Sequence, residues 1–204
     1  MRGETATAAP AAGDALSGGF ADPARDGAAA FRAVLSAMAH PGRIERLAGA
    51  APPAGISPAA GALMLALADA ETPVWLPERL AGGPVAEWLR FHTNAPAAAG
   101  RSAAAFALGR WEELVPLADY PAGCPSYPDR SATLVVDLPA LEGGPALTLS
   151  GPGLAAPARF APMLPAEAAA ALAENAARFP LGVDVCFAAA DRVAALPRST
   201  RLEG

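Results

Sequence analysis

Residues 132–150, ATLVVDLPALEGGPALTLS, decide the fold class. The runs 132–138 and 146–150 are aliphatic and of strand length, and Glu142, Gly143, Gly144 and Pro145 between them are residues that turn a chain. Two strands around such a turn predict an antiparallel hairpin. On the N-terminal side, residues 119–129 form a loop with Pro, Gly and two tyrosines, 111–117 a helical turn or two, and 103–108 a strand. Further back, 85–91 is a short helix carrying Trp88 and Leu89, and Val74, Trp75 and Leu76 are a short strand or extended edge. On the C-terminal side, a helix over 165–179 breaks at Pro180, and 182–188 is a strand. Helices interleaved with strands around one hairpin predict a single α/β domain, with a mixed sheet flanked by helices. The chain has no internal repeat.

Two helices precede this region. Asp22 and Pro23 supply an N-cap and a proline at the first helical position, and Phe31, Val34, Leu35 and Met38 follow at helical spacing. Pro41 and Gly42 stop this helix. Ser57 and Pro58 open the second, whose Leu63, Met64, Leu65 and Leu67 lie among further apolar residues and predict burial on all sides. Residues 1–19 are Ala-, Gly-, Thr- and Pro-rich with little aliphatic bulk, a composition that cannot offset the entropy of ordering, so they read as a mobile tail. Residues 20–204 form the domain.

The composition excludes several functions. The formal charge of −5 opposes a broad nucleic-acid footprint, which needs clustered excess positive charge. The hydrophobic fraction of 53% is inflated by alanine, and no run of about 18 apolar residues escapes Pro, Gly or charge, so no membrane span is predicted. The N-terminus lacks a continuous apolar segment of the secretory kind, which makes the cytoplasm the default. All 15 basic residues are arginine. Without lysine there is no Schiff base, no pyridoxal-phosphate anchor and no P-loop lysine. Cys124 and Cys186 are too few for an iron–sulfur cluster, and with His40 and His92 they could bind zinc only if all four converged. No cofactor and no metal are expected.

Six residues are candidates for anion binding. Arg90, His92 and Thr93 form a polar cluster whose guanidinium and imidazole donors suit a phosphate or phosphonate, although a helix C-terminus also favours Arg and His. Ser150, Gly151 and Gly153 follow a strand in a turn that could expose backbone N–H groups. Pro152 removes one of those donors, and a structural turn explains the same residues. His40 reads as a cap, and Asp69 with Glu71 as helix termination before Pro73. Tyr120, Cys124 and Tyr127 lie in a loop long enough to meet a partner.

Five stretches, in order, carry a family resemblance: 31–42 (FRAVLSAMAHPG), 67–75 (LADAETPVW), 89–94 (LRFHTN), 147–153 (LTLSGPG), and 179–184 (FPLGVD) leading to 196–200 (LPRST). From about Phe20 to Arg201 the chain resembles the PhnH family of the carbon–phosphorus lyase system. The resemblance implies an accessory subunit of a core complex with PhnG, PhnI and PhnJ. That complex forms ribose 1-phosphonate 5-triphosphate from a nucleoside triphosphate and a phosphonate. It also implies a homodimer in isolation, and a fold similar to the large domain of pyridoxal-phosphate-dependent transferases without the cofactor site. Apolar-rich segments around Trp75, Trp88 and Trp111 offer interface anchors, with core packing the favoured reading of each tryptophan taken singly. The alternative is a stand-alone transferase or hydrolase of a small phosphorylated metabolite, using Arg90, His92 and a carboxylate.

Overall fold

The computed structural model describes residues 16–203. Strands β2 (Val74–Trp75), β3 (Phe106–Gly109), β6 (Thr133–Asp137) and β9 (Asp184–Ala189) run parallel, β10 (Arg192–Leu196) pairs antiparallel with β9, and β1 (Glu45–Arg46) pairs antiparallel with β10. Together they form a six-stranded sheet of order β1-β10-β9-β6-β3-β2. The sheet is therefore mixed, as expected, but its antiparallel part lies elsewhere than the sequence suggests. Strand β7 (Leu147–Ser150) does not pair with β6; it is the centre of a separate three-stranded sheet between β11 (Arg201–Glu203) and β8 (Ala158–Phe160). The expected hairpin is corrected on physical grounds. Leu134, Val135 and Val136 in β6 are all fully buried, the continuous apolar pattern of a central parallel strand, whereas β7 alternates buried Leu147 and Leu149 with exposed Thr148. Antiparallel hairpins form instead from β9 with β10 and from β4 (Ala122–Cys124) with β5 (Tyr127–Ser131), the latter largely within the segment expected to be a loop.

Along β6, β9 and β10 successive side chains alternate between two cores. Val135, Cys186, Ala188, Val193 and Ala195 face α1 (Pro23–Ala39), α2 (Pro58–Leu67) and the helices α3 (Glu78–Ala81) and α4 (Pro84–Thr93). Leu134, Val136, Val185, Phe187, Ala194 and Leu196 face α5 (Trp111–Leu114), α6 (Ala168–Ala176) and the three-stranded sheet.

The helix boundaries follow from their caps. The Asp22 carboxylate accepts the Arg25 N–H at 3.1 Å and opens α1, and at its end the His40 ring donates through Nδ1 to the Ser36 carbonyl at 2.9 Å. Ser57 caps α2 by accepting the Ala60 N–H at 3.2 Å. The buried stripe of α1 is Ala30, Val34 and Ala37, so Phe31 and Leu35 from the expected stripe point outward, 49% and 56% exposed. The tryptophans follow the core-packing reading at two positions: Trp88 and Trp111 are core residues at 0% and 3% exposure, and Trp75 is half-buried. Bulk in the interior wins over exposure because burying a large ring removes the most apolar area from water.

Of the segment 1–19, the first fifteen residues lie outside the described ones. Leu16 to Gly19 run as a strap across α4: Trp88 Nε1–H donates to the Ser17 carbonyl at 2.8 Å, His92 Nε2–H to the Leu16 carbonyl at 3.0 Å, and the Ala51 N–H to the Gly18 carbonyl at 2.8 Å.

Candidate functional site

The C-terminal turn of α4 holds three candidates, in different circumstances. Thr93 Oγ1 donates to the Leu89 carbonyl at 2.7 Å and accepts the Ala95 N–H at 3.1 Å, closing the helix beside Asn94, whose φ of 57° is left-handed. His92 latches the strap, and its ring stands edge-on to Trp88 and Phe91, each 5.0 Å away between centroids. Arg90 makes no side-chain hydrogen bond or ion pair among the described residues. It borders a cleft of about 380 Å³ between β2 and α4, with Trp75, Leu76, Gly83, Glu87 and Leu89.

Ser150, Gly151 and Gly153 lie apart from this cleft, where β7 turns against the end of α1. Gly153 has φ 86°, and a Cβ there would stand 2.1 Å from the Ala39 carbonyl oxygen, so close backbone approach requires glycine. Gly151 likewise packs against the Ser199 carbonyl. The structure does not bring this turn to Arg90: Gly153 borders another cleft, with Met38, Phe179, Asp184 and Arg198. There Arg198 forms a two-pronged ion pair with Asp184, Nη2 to Oδ2 at 2.7 Å and Nε to Oδ1 at 3.2 Å, both side chains being about 15% exposed. Arg198 Nη1 also donates to the Pro128 carbonyl, tying the β4–β5 hairpin to the start of β9.

A third polar group lies at the carboxyl ends of the parallel strands, where open α/β sheets bind ligands. Arg110 follows β3 and Asp137 ends β6. With Gly55, Trp111, Glu112 and Met163 they border a cleft of about 420 Å³. Asp137 Oδ2 accepts the Ser57 N–H at 2.9 Å while Oδ1 is buried without a partner, and burial pushes its carboxyl above the usual range against the opposing Ser57 hydrogen bonds. Glu113 shows the reverse balance. Burial raises it, but the Arg79 fork at 2.6 and 3.0 Å and the Arg110 N–H at 2.8 Å outweigh that and hold its carboxyl below the usual range. The N-terminus of α2, which also points here, is closed, since Ala190, Ser57 and Asp137 accept its first N–H groups. None of Asp137, Arg110, Asp184 or Arg198 was singled out from the sequence. A charged residue immediately after an apolar strand, as in FALGR110 and TLVVD137, was the available signal for the first two.

The remaining candidates are engaged locally. Asp69 Oδ1 accepts the Glu71 N–H at 2.9 Å and the Thr72 hydroxyl at 3.0 Å, ending the turn after α2. Tyr120 is buried, with its phenol pushed up to about 12 by desolvation, and it stands edge-on to Trp75 at 6.1 Å. Cys186 is fully buried and its thiol is pushed up to about 12 by burial, which keeps it from being a thiolate at neutral pH, whereas Cys124 is exposed in the hairpin with Tyr127. Among the described residues no group of three or more His, Cys, Asp or Glu side chains is arranged to hold a metal ion. No helix among them is long and apolar enough to cross a membrane.

Two comparisons place the chain among known proteins. The family described as bacterial phosphonate metabolism protein (PhnH) matches residues 18–203. A curated protein of Rhizobium meliloti (strain 1021), the alpha-D-ribose 1-methylphosphonate 5-triphosphate synthase subunit PhnH, is 42% identical over 190 residues, covering 92% of this chain and 95% of that protein.

Proposed function

Since the chain belongs to the PhnH family of bacterial phosphonate metabolism proteins, we propose that it acts as an accessory subunit of a multi-subunit synthase that makes ribose 1-phosphonate 5-triphosphate from a nucleoside triphosphate and a phosphonate. One observation carries this: the likeness to the Rhizobium synthase subunit runs nearly end to end in both chains, at 42% identity. The engagement of reactive side chains supports it. His40 is held by Ser36, His92 by Leu16, and Cys186 is sealed in the core, so both histidines and one of the two thiols serve the scaffold.

In this reading the chain is cytoplasmic, dimerises when isolated, and joins PhnG, PhnI and PhnJ in the working complex. The exposed ridge of Phe31 and Leu35, one turn apart on α1, offers apolar area of the kind interfaces use. Within the α4 cluster Arg90 is the residue proposed to meet an anionic group, because His92 and Thr93 already donate to backbone carbonyls. The proposed kinship with the large domain of pyridoxal-phosphate-dependent transferases is one of fold only. It is supported by the parallel β2-β3-β6-β9 core, and a chain without lysine cannot form the internal aldimine of those enzymes.

The test is co-expression of the four core subunits with an affinity tag on another subunit, together with growth of a deletion strain on a phosphonate as sole phosphorus source. The expected outcome is co-elution at fixed stoichiometry and loss of growth. Absence from the eluate together with retained growth would replace the subunit with a stand-alone enzyme.

A further inference from the structure

Two clefts adjoin along Trp111, Glu112 and Pro165. One is the cleft at the carboxyl ends of β3 and β6, where Met163 stands 48% exposed. The other, of about 480 Å³, runs between α6 and the segment after α5, and its walls are largely apolar, with Val115, Pro116, Leu117 and Ala171 among them. Its charged residues are Glu112, Glu167, Glu174 and Arg178, and the adjoining cleft adds Arg110 and Asp137, so carboxylates outnumber guanidiniums along the groove by four to two. Glu112, Glu167, Glu174 and Arg178 are exposed, and among the described residues none of the three glutamates has a side-chain hydrogen bond or an ion pair.

The polar group that would otherwise orient a small ligand here is already in use. Asn175 donates through Nδ2 to the Val183 carbonyl at 2.8 Å and accepts the Val183 N–H at 2.9 Å, which engages its amide in the scaffold. A small-molecule site needs polar groups converging into an apolar cavity. An apolar floor with charge confined to an exposed rim is the anatomy of a protein interface.

We infer that this groove receives a segment of a partner subunit that carries apolar side chains interspersed with basic ones. The inference rests on the subunit reading and adds which surface is used and the chemistry of what enters it. Exposed rim charges contribute little to affinity pair by pair, but they set association rate and partner choice, and like charges brought together oppose binding strongly. Glu112, Glu167 and Glu174 therefore select for a basic segment, and Met163 at the far end gives an adaptable apolar contact.

The absence of lysine makes the test specific. A carbodiimide joins a carboxylate directly to an amine, and this chain has no amine except its N-terminus. In the assembled complex, peptide mapping should find Glu112, Glu167 or Glu174 joined to lysines of another subunit. The triple variant E112R/E167R/E174R should keep the wild-type thermal midpoint and lose about tenfold or more in affinity for the partner subunits at low salt. Conjugates formed only with the N-terminal amine of this chain would put its own first residues in the groove and overturn the inference. So would a folded triple variant that assembles with wild-type affinity. Failure of the wild-type chain to co-purify at all would sink the subunit reading instead, and this inference with it.

Discussion

The two faces of the central sheet are covered by different means. On one face α1 and α2, of 17 and 10 residues, lay continuous apolar surfaces on Val135, Cys186 and Val193, and burial extends to Trp88 and Met64 at 0% exposure. On the other face no helix exceeds the nine residues of α6, and the cover is assembled from α5, α6 and three short strands. Short pieces cannot present long apolar stripes, and here polar stitches join them to their neighbours. Asn175 clasps Val183; Arg101 donates to the carbonyls of Val115 and Glu113 and to Asp119; Arg198 binds Asp184 and Pro128. Where the elements are long, continuous apolar stripes carry the contact, and where they are short, directed bonds supplement the packing.

If the helix face depends on packing, Trp88→Ala should have the largest effect, about 3–5 kcal/mol of stability by denaturant titration, as a buried ring and its bond to Ser17 are lost. A loss below 1 kcal/mol would show that the helices tolerate a cavity and would remove the contrast. The contrast is sharpened by two substitutions to leucine, one on each face. Asn175→Leu strands the buried N–H and carbonyl of Val183 and should cost about 2–4 kcal/mol, whereas Met64→Leu on the helix face should cost less than about 1.5 kcal/mol. Equal costs would mean that both faces are held in the same way.

The smallest effect belongs to the seam between the faces, where Arg79 of α3 holds Glu113 of α5. Glu113 has a carboxyl lowered in the folded state, so its contribution is complete above the usual value of 4.5 and is lost as pH falls through the folded value. Asp137, raised by burial, works in the opposite sense, because protonation on acidification relieves its desolvation. Glu113→Gln should therefore lower stability by about 1 kcal/mol near pH 7, and the gap to wild type should close below pH 4.5. A gap that stays constant from pH 7 to pH 3 would assign the contribution to packing.

What could be read from the sequence follows the same division. The caps at Asp22 and Ser57 and the prolines after them located α1 and α2, since a helix start is written in adjacent residues. The partner of β7 could not be read that way. Residues 142–145 do turn the chain, but they lead it from a buried central strand to a separate sheet, and pairing with β8 and β11 depends on residues 9 to 13 and 51 to 55 positions away. Of the candidate site residues, those of α4 were placed correctly at a helix end, while Asp184 with Arg198 and Arg110 beside Asp137 meet only in space. Only the strand ends at Arg110 and Asp137 left a local trace.

The strap over α4 gives the protein an optical readout of its own N-terminus. The Trp88 indole N–H is paired with the Ser17 carbonyl, and the ring lies wholly inside the domain. Detachment of residues 16–19 breaks that pairing and admits solvent to the indole, which shifts its emission to longer wavelength. In the isolated chain with Trp75 and Trp111 replaced by Phe, intrinsic fluorescence can therefore follow docking of residues 16–19 without any added label.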